Sequence, residues 1–295
     1  MRKFVVFIGK LLLITLLSAV LLDIAYTAVY LKSTQRNKIQ HILTSKDKNF
    51  DVIFMGSSRT QNHMVAKVFN DKGIKAFNFG MSGSKLDETA LTLKLMLEHD
   101  YKIKNIILDV DLNLNSNAYS DGVRAMFMPY IHSSKTIQQH YQNIPDYNKF
   151  LYIPFYRYIK NDAKIGFREM FFSLVNKKTN ALNNDGFFAL NHDGKNMSYD
   201  LADYSPKRNL AYEEIKMLCQ KNNINLIAIA TPMCEGSDSD AYFNRINSVY
   251  PEVFNYENKI TEDQYFSSCG HMNKKGATLF TTIILNDFIQ NKFKH

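Results

Sequence analysis

The sequence predicts an α/β domain on a mostly parallel five-stranded sheet, carrying an aromatic-rich helical insertion and preceded by a transmembrane helix. Three observations predict it. An apolar run opens the chain, short continuously apolar segments then alternate with segments of helical periodicity, and 45% of the residues are hydrophobic against 22% charged. That balance belongs to a chain able to bury a core.

Residues 4 to 24, FVVFIGKLLLITLLSAVLLDI, are long enough to cross a hydrocarbon layer of roughly 30 Å at about 1.5 Å per residue. Lys10 lies close enough to one end to snorkel toward the headgroups. Asp23 falls at the opposite interface, beside Tyr26 and Tyr30, which suit an aromatic belt. Arg2-Lys3 before an apolar run also fits a cleaved signal peptide, but residues 25–28 offer no good small-x-small site, so an uncleaved anchor is expected over 1–31. Long C-terminal domains translocate largely regardless of flanking charge, which puts the bulk of the chain outside the cytoplasm.

Residues 32–50 are polar and read as a stalk, and residues 51–295 as the globular domain. Apolar, β-rich runs occur at 51–55, 75–79, 105–110, 225–230 and, more weakly, 253–256. Between them, helical spacing is clear over 85–99, with Ser84 as the expected N-cap, over 207–222 and over 275–290. Strands that are apolar throughout, alternating with helices, call for a parallel sheet covered on both faces. In such sheets ligands bind beyond the carboxyl ends of the strands. The alternation breaks over about 116–205, which is rich in Phe, Tyr and basic residues and reads as a helical insertion. Its stripe YNKFLYIPFYRY (147–158) fits helix core or membrane-proximal packing better than a sugar platform.

The formal charge is +8, from 36 Lys and Arg against 28 Asp and Glu. The basic residues are scattered, so nucleic-acid binding is not expected, and a surface facing an acidic glycan or membrane is. Eight histidines include no HExxH and no i, i+4 pair, so no metal and no other cofactor is expected. Gly80-x-x-Gly83-Ser84-Lys85 lacks the spacing of a phosphate loop. Three cysteines cannot build a disulfide scaffold. Cys234 and Cys269 follow strands at one sheet edge, which leaves both a disulfide and two buried thiols open.

The chemistry-bearing residues follow the strands. Gly56-Ser57-Ser58-Arg59 comes after the first, Gly80-Met81-Ser82-Gly83 after the second, and Asp109-Val110-Asp111-Leu112-Asn113 after the third. Cys269-Gly270-His271-Met272-Asn273 precedes the last helix. A serine between a strand and a helix presents its oxygen beside free backbone N–H groups, as a nucleophile requires. Arg59, next to it, suits either an anionic substrate group or a bridge to Asp109 or Asp111.

These blocks resemble the SGNH (GDSL-like) hydrolase superfamily, particularly its single-pass, membrane-anchored envelope branch, with relatives of the teichoic-acid D-alanylation and alginate O-acetylation proteins. Gly56-Ser57-Ser58 matches the Gly-Asp-Ser block, with Ser57 in place of the aspartate. Gly83 matches the second-block glycine, Asn113 falls in the third-block loop, and His271 with Asn273 matches the last block. The resemblance covers about residues 51–115 and 224–290. It departs at Ser268, where the family carries an aspartate three residues before the histidine.

The resemblance implies a three-layer, flavodoxin-like SGNH fold, with Ser58 as nucleophile, His271 as base, and Gly83 and Asn113 as oxyanion donors. It further implies a serine esterase or O-acyltransferase acting on acyl esters of a cell-envelope glycan or an acylated small molecule. The domain would stand outside an inner-membrane anchor, with a membrane-bound acyltransferase as expected partner. With serine at 268, His271 is expected to be oriented by a backbone carbonyl or by Glu262 or Asp263. The competing reading is a catalytically inactive SGNH-like protein that binds glycan or scaffolds an acyltransferase.

Overall fold

The computed structural model describes residues 1–238 and 240–293, and of residues 111, 238, 240 and 241 the backbone alone. The chain forms two compact units, one of residues 1–44 with 121–178 and the other of residues 45–120 with 179–295.

The first unit is helical. α1 (Arg2–Lys32) is long and apolar enough to cross a membrane, and its most apolar stretch is unburied. Its last turns are covered: Tyr26 and Tyr30 are buried, and both rings pack on Tyr158. Within the segment that reads as a stalk, α2 (Lys38–Thr44) is helical and buries Ile39 and Ile42. The remainder comprises the short helices α6 (Asp121–Phe127), α7 (Lys135–Tyr141), α8 (Tyr147–Tyr152), α9 (Tyr156–Lys160), α10 (Asp162–Ile165) and α11 (Phe167–Leu174). Of the aromatic stripe, Phe150 and Tyr158 are core, whereas Tyr152 is 77% exposed.

The second unit is α/β. Its strands are β1 (Asn49–Met55), β2 (Ala76–Asn78), β3 (Lys102–Asp109), β4 (Tyr199–Asp200), β5 (Asn225–Ala230), β6 (Ser237–Asp238), β7 (Phe254–Asn255), β8 (Phe266–Ser268) and β9 (His271–Met272). Five of them form one sheet in the order β2-β1-β3-β5-β7, all pairs parallel. All five lie where apolar runs stand in the sequence. Val52 to Met55, Ile106 to Asp109 and Ile227 to Ala230 are buried residue after residue. Since successive side chains point to opposite faces, both faces are covered. α5 (Leu86–Glu98) packs with α12 (Leu210–Lys221), and α14 (Lys274–Ile289) packs with α3 (Ser58–His63) and α4 (Ala66–Asn70). A further helix, α13 (Asp240–Val249), follows β6.

This is a doubly wound order, in which the chain leaves β1 in one direction for β2 and returns past it to β3. The loops after β1 and β3 therefore diverge and open a crevice at the carboxyl edge. The helix boundaries follow the sequence, with one correction. Lys85, not Ser84, is the N-cap residue of α5, because Glu88 accepts the Lys85 N–H at 2.9 Å while the Ser84 hydroxyl donates to the Lys85 carbonyl.

Candidate active site

Ser58 begins α3 directly beyond β1. The chain reverses there through Gly56, whose φ of +141° is open to glycine and whose missing Cβ makes room for Thr60 and the Asp109 carbonyl. Ser57 caps α3 by accepting the Arg59 N–H at 3.3 Å. That leaves the Ser58 hydroxyl facing a cleft of about 550 Å³.

His271 reaches the same point from the other end of the second unit's sequence. β8 and β9 form a small antiparallel hairpin in which Ser268 and His271 are cross-strand partners. Nε2 of His271 lies 2.8 Å from the Ser58 Oγ, hydrogen-bonding distance for a nucleophile and its base. Nδ1 of His271 lies 3.2 Å from the Ser268 Oγ. Glu262 and Asp263, the acids expected beside His271, instead accept backbone N–H groups of Thr261 and Asn196. Cross-strand pairing delivers residue 268 to Nδ1, so a hydroxyl stands where a Ser-His-Asp triad has its carboxylate.

Gly83 and Asn113 also line the cleft. Gly83 has a φ of +79° in the loop after β2. Asn113 is nearly buried in the turn after β3, where its carbonyl accepts from the Asn209 amide at 3.2 Å. The backbone N–H groups of Ser58 and Gly83 and the Asn113 side-chain amide make no hydrogen bond among the described residues. All three residues line the cleft, so these donors stand uncommitted in its wall. Glu88, at the start of α5, fixes the two loops behind them. Its carboxylate accepts the N–H of Lys85, two residues after Gly83, at 2.9 Å, and that of Ser120 at 2.5 Å. Burial pushes its pKa up to about 7 against those two hydrogen bonds.

Arg59 does not present its charge to the cleft. It is 3% exposed, and its guanidinium donates to the Thr231 hydroxyl at 3.0 Å and to the carbonyls of Thr231 (2.8 Å), Pro232 (3.0 Å) and Gly270 (2.9 Å). It thereby staples the loop after β5 to the loop that carries His271. Of its two expected acidic partners, Asp109 is buried at the end of β3, and the side chain of Asp111 lies outside the described residues.

A disulfide joins Cys234 and Cys269, with Cα atoms 4.7 Å apart, and binds the same two loops covalently. Cys219 is a buried thiol whose pKa burial raises to about 12.

Sequence reasoning missed His63. Fully buried beneath His271, it accepts the Met272 N–H on Nε2 at 3.0 Å, so its proton sits on Nδ1 and is donated to the Thr231 hydroxyl at 3.2 Å. Burial, with Arg59 and His271 nearby, holds its pKa well below the usual imidazole range. Tyr199, Tyr204 and Lys85 in the cleft wall were missed as well. Tyr199 arrives on β4, which pairs with β6, a two-residue strand too short to leave a periodic signal.

No family model and no curated protein matches the chain. Among solved structures, one described provisionally as a platelet activating factor from Streptococcus pneumonia is similar at 12% identity, over 95% of this chain and 98% of that chain, with a TM-score of 0.39.

Proposed function

We propose that the protein is a serine esterase or O-acyltransferase of the SGNH type, acting on acyl esters of a cell-envelope glycan. The observation that carries this reading is the 2.8 Å contact between Ser58 and His271 in a cleft walled by uncommitted N–H donors. His271 takes the Ser58 proton on Nε2 as the oxygen adds to an ester carbonyl. The N–H groups of Ser58 and Gly83 and the Asn113 amide bind the developing oxyanion. The imidazolium then protonates the leaving alkoxide, and an acyl group remains on Ser58. Water or a glycan hydroxyl gives its proton to His271, attacks the acyl carbon and restores the serine.

The disulfide supports an oxidising compartment. With α1 as a membrane anchor, it favours a catalytic unit outside the cytoplasm. The two tyrosines of the cleft wall favour a sugar ring as part of the substrate. The second reading, a non-catalytic glycan-binding or scaffold protein for a membrane acyltransferase, is favoured by the missing carboxylate at 268.

Exposure to a serine-reactive fluorophosphonate, read by intact mass, separates them. A single adduct, lost in Ser58→Ala and in His271→Ala, establishes an activated serine. No adduct on folded protein leaves the binding reading.

A further inference from the structure

We propose that Tyr152–Pro154, the junction of α8 and α9, is a lipid-contacting rim that seats the first unit on the anionic headgroup surface of the bilayer crossed by α1. The inference rests on α1 as a membrane span. It concerns how the unit meets the membrane, which a span alone does not determine.

The level of the bilayer can be read from α1. Apart from half-buried Ile8, Ala19 and Val20, its apolar side chains are exposed from Phe4 to Leu22, and packing within the unit begins at Asp23, Tyr26 and Tyr30, while Ile24 and Leu31 stay exposed. Nineteen residues at about 1.5 Å each make about 28 Å, the thickness of a hydrocarbon core. The boundary therefore falls at the turn holding Leu22 and Asp23.

The α8–α9 junction is tied to that turn. Asp23 accepts the Phe155 N–H at 2.8 Å and pairs with Arg157 Nη2 at 2.7 Å. Val20, Asp23 and Ile24 share a cleft of about 150 Å³ with Tyr152, Ile153 and Pro154. Arg157 is further held by the Thr27 hydroxyl and by Nε2 of His132. A hydrogen-bonded charge pair is tolerated among headgroups but resists entry into hydrocarbon, so it acts as a depth stop. Just beside it, Tyr152 is 77% and Ile153 47% exposed. An exposed tyrosine and isoleucine at that depth are the amphipathic and apolar contacts an interface takes up.

Charge selects the lipid. Residues 147–164, which include the rim, hold four basic residues against one acidic one. Lys160 and Lys164 are exposed. Such a surface is drawn to anionic headgroups.

The chain contains no tryptophan, so a single introduced indole reports its own surroundings. Leu13→Trp, Tyr152→Trp and Leu174→Trp would be made in the full chain, reconstituted in vesicles of phosphatidylcholine and phosphatidylglycerol brominated near the headgroup or near the chain end. Leu174 borders a cleft with Ala28, Val29 and Lys32, about 10 Å beyond Leu22 along α1, and serves as the aqueous-side control. Tyr152→Trp should emit to the blue and be quenched by shallow bromines more than by deep ones, Leu13→Trp should be quenched by deep bromines, and Leu174→Trp should stay unquenched. Shallow quenching of Tyr152→Trp should weaken in phosphatidylcholine alone, and equal quenching there overturns the anionic preference. Quenching of Leu13→Trp without quenching of Tyr152→Trp overturns the rim, and blue emission without quenching assigns the patch to a second copy or another protein. Loss of quenching at Leu13→Trp overturns the span and the rim together.

Discussion

The Ser268 hydroxyl lies 3.2 Å from Nδ1 of His271, across the β8–β9 hairpin. A carboxylate at that position only accepts, which forces the Nδ1–H tautomer and leaves Nε2 free to take the Ser58 proton. A hydroxyl accepts or donates, so it orients the ring without enforcing the productive tautomer. Ser268→Ala should therefore lower kcat only about five-fold, the worth of one neutral hydrogen bond of about 1 kcal/mol. Ser268→Asp should raise it. A drop of several orders of magnitude in Ser268→Ala would mean that the serine does more than orient the ring.

Asn113→Ala removes one of the proposed oxyanion donors while leaving Ser58 and His271 in contact. We expect kcat to fall by ~10²–10³ with KM little changed, since the donor acts on charge that develops only in the transition state. Steady-state kinetics on an aryl ester checks this, and a change confined to KM would make Asn113 a ground-state binding residue.

Arg59→Lys keeps the charge but cannot reach the three carbonyls at once. Each buried acceptor left unmet costs about 1–3 kcal/mol, so unfolding in denaturant should show a clear loss of stability. Full stability with a raised KM for an anionic ester alone would return Arg59 to substrate binding.

Glu88 gives a pH signature. Its pKa is raised from 4.5 to about 7 in the folded protein, so the native state holds the proton more tightly than the unfolded chain. Its contribution to stability is complete below about pH 4.5, falls as pH rises toward about 7 and is flat above. The fall amounts to about 3 kcal/mol. Chemical denaturation at several pH values should show the wild-type-minus-Glu88→Gln difference following that slope.

The Cys234–Cys269 disulfide closes a loop of 35 residues. Chain-entropy arguments give it about 4 kcal/mol of stabilisation. Because Cys269 is next to Ser268 and two residues from His271, reduction should lower both Tm and esterase activity. Activity unchanged by dithiothreitol, with reduction verified by mass, would show that Arg59 and the hydrogen bond from the Cys234 N–H to the Cys269 carbonyl suffice to hold the two loops.

Much of the second unit was legible in the sequence because its signals are local. Each of the runs at 51–55, 75–79, 105–110 and 225–230 carries consecutive apolar residues with few polar interruptions, as a strand covered on both faces requires. That Ser58, Gly83, Asn113 and His271 would meet at one cleft was legible from the order of their blocks and their resemblance to a known family, since a parallel sheet gathers its carboxyl-edge loops at one crevice. By contrast, β4 and β6 are two residues each and leave no period to read. The residues they bring to the cleft, Tyr199 among them, were invisible.

The sequence by itself determined the strands, the apolar α1 and the order of the blocks, since periodicity and composition act over neighbouring residues. Tertiary structure alone decided three things. It brought Ser58 and His271 together across 213 positions. It turned Arg59 inward onto Thr231, Pro232 and Gly270 rather than toward the cleft. It also joined Cys234 to Cys269. Each depends on where distant loops meet, and a buried guanidinium goes wherever backbone carbonyls converge to receive its donors.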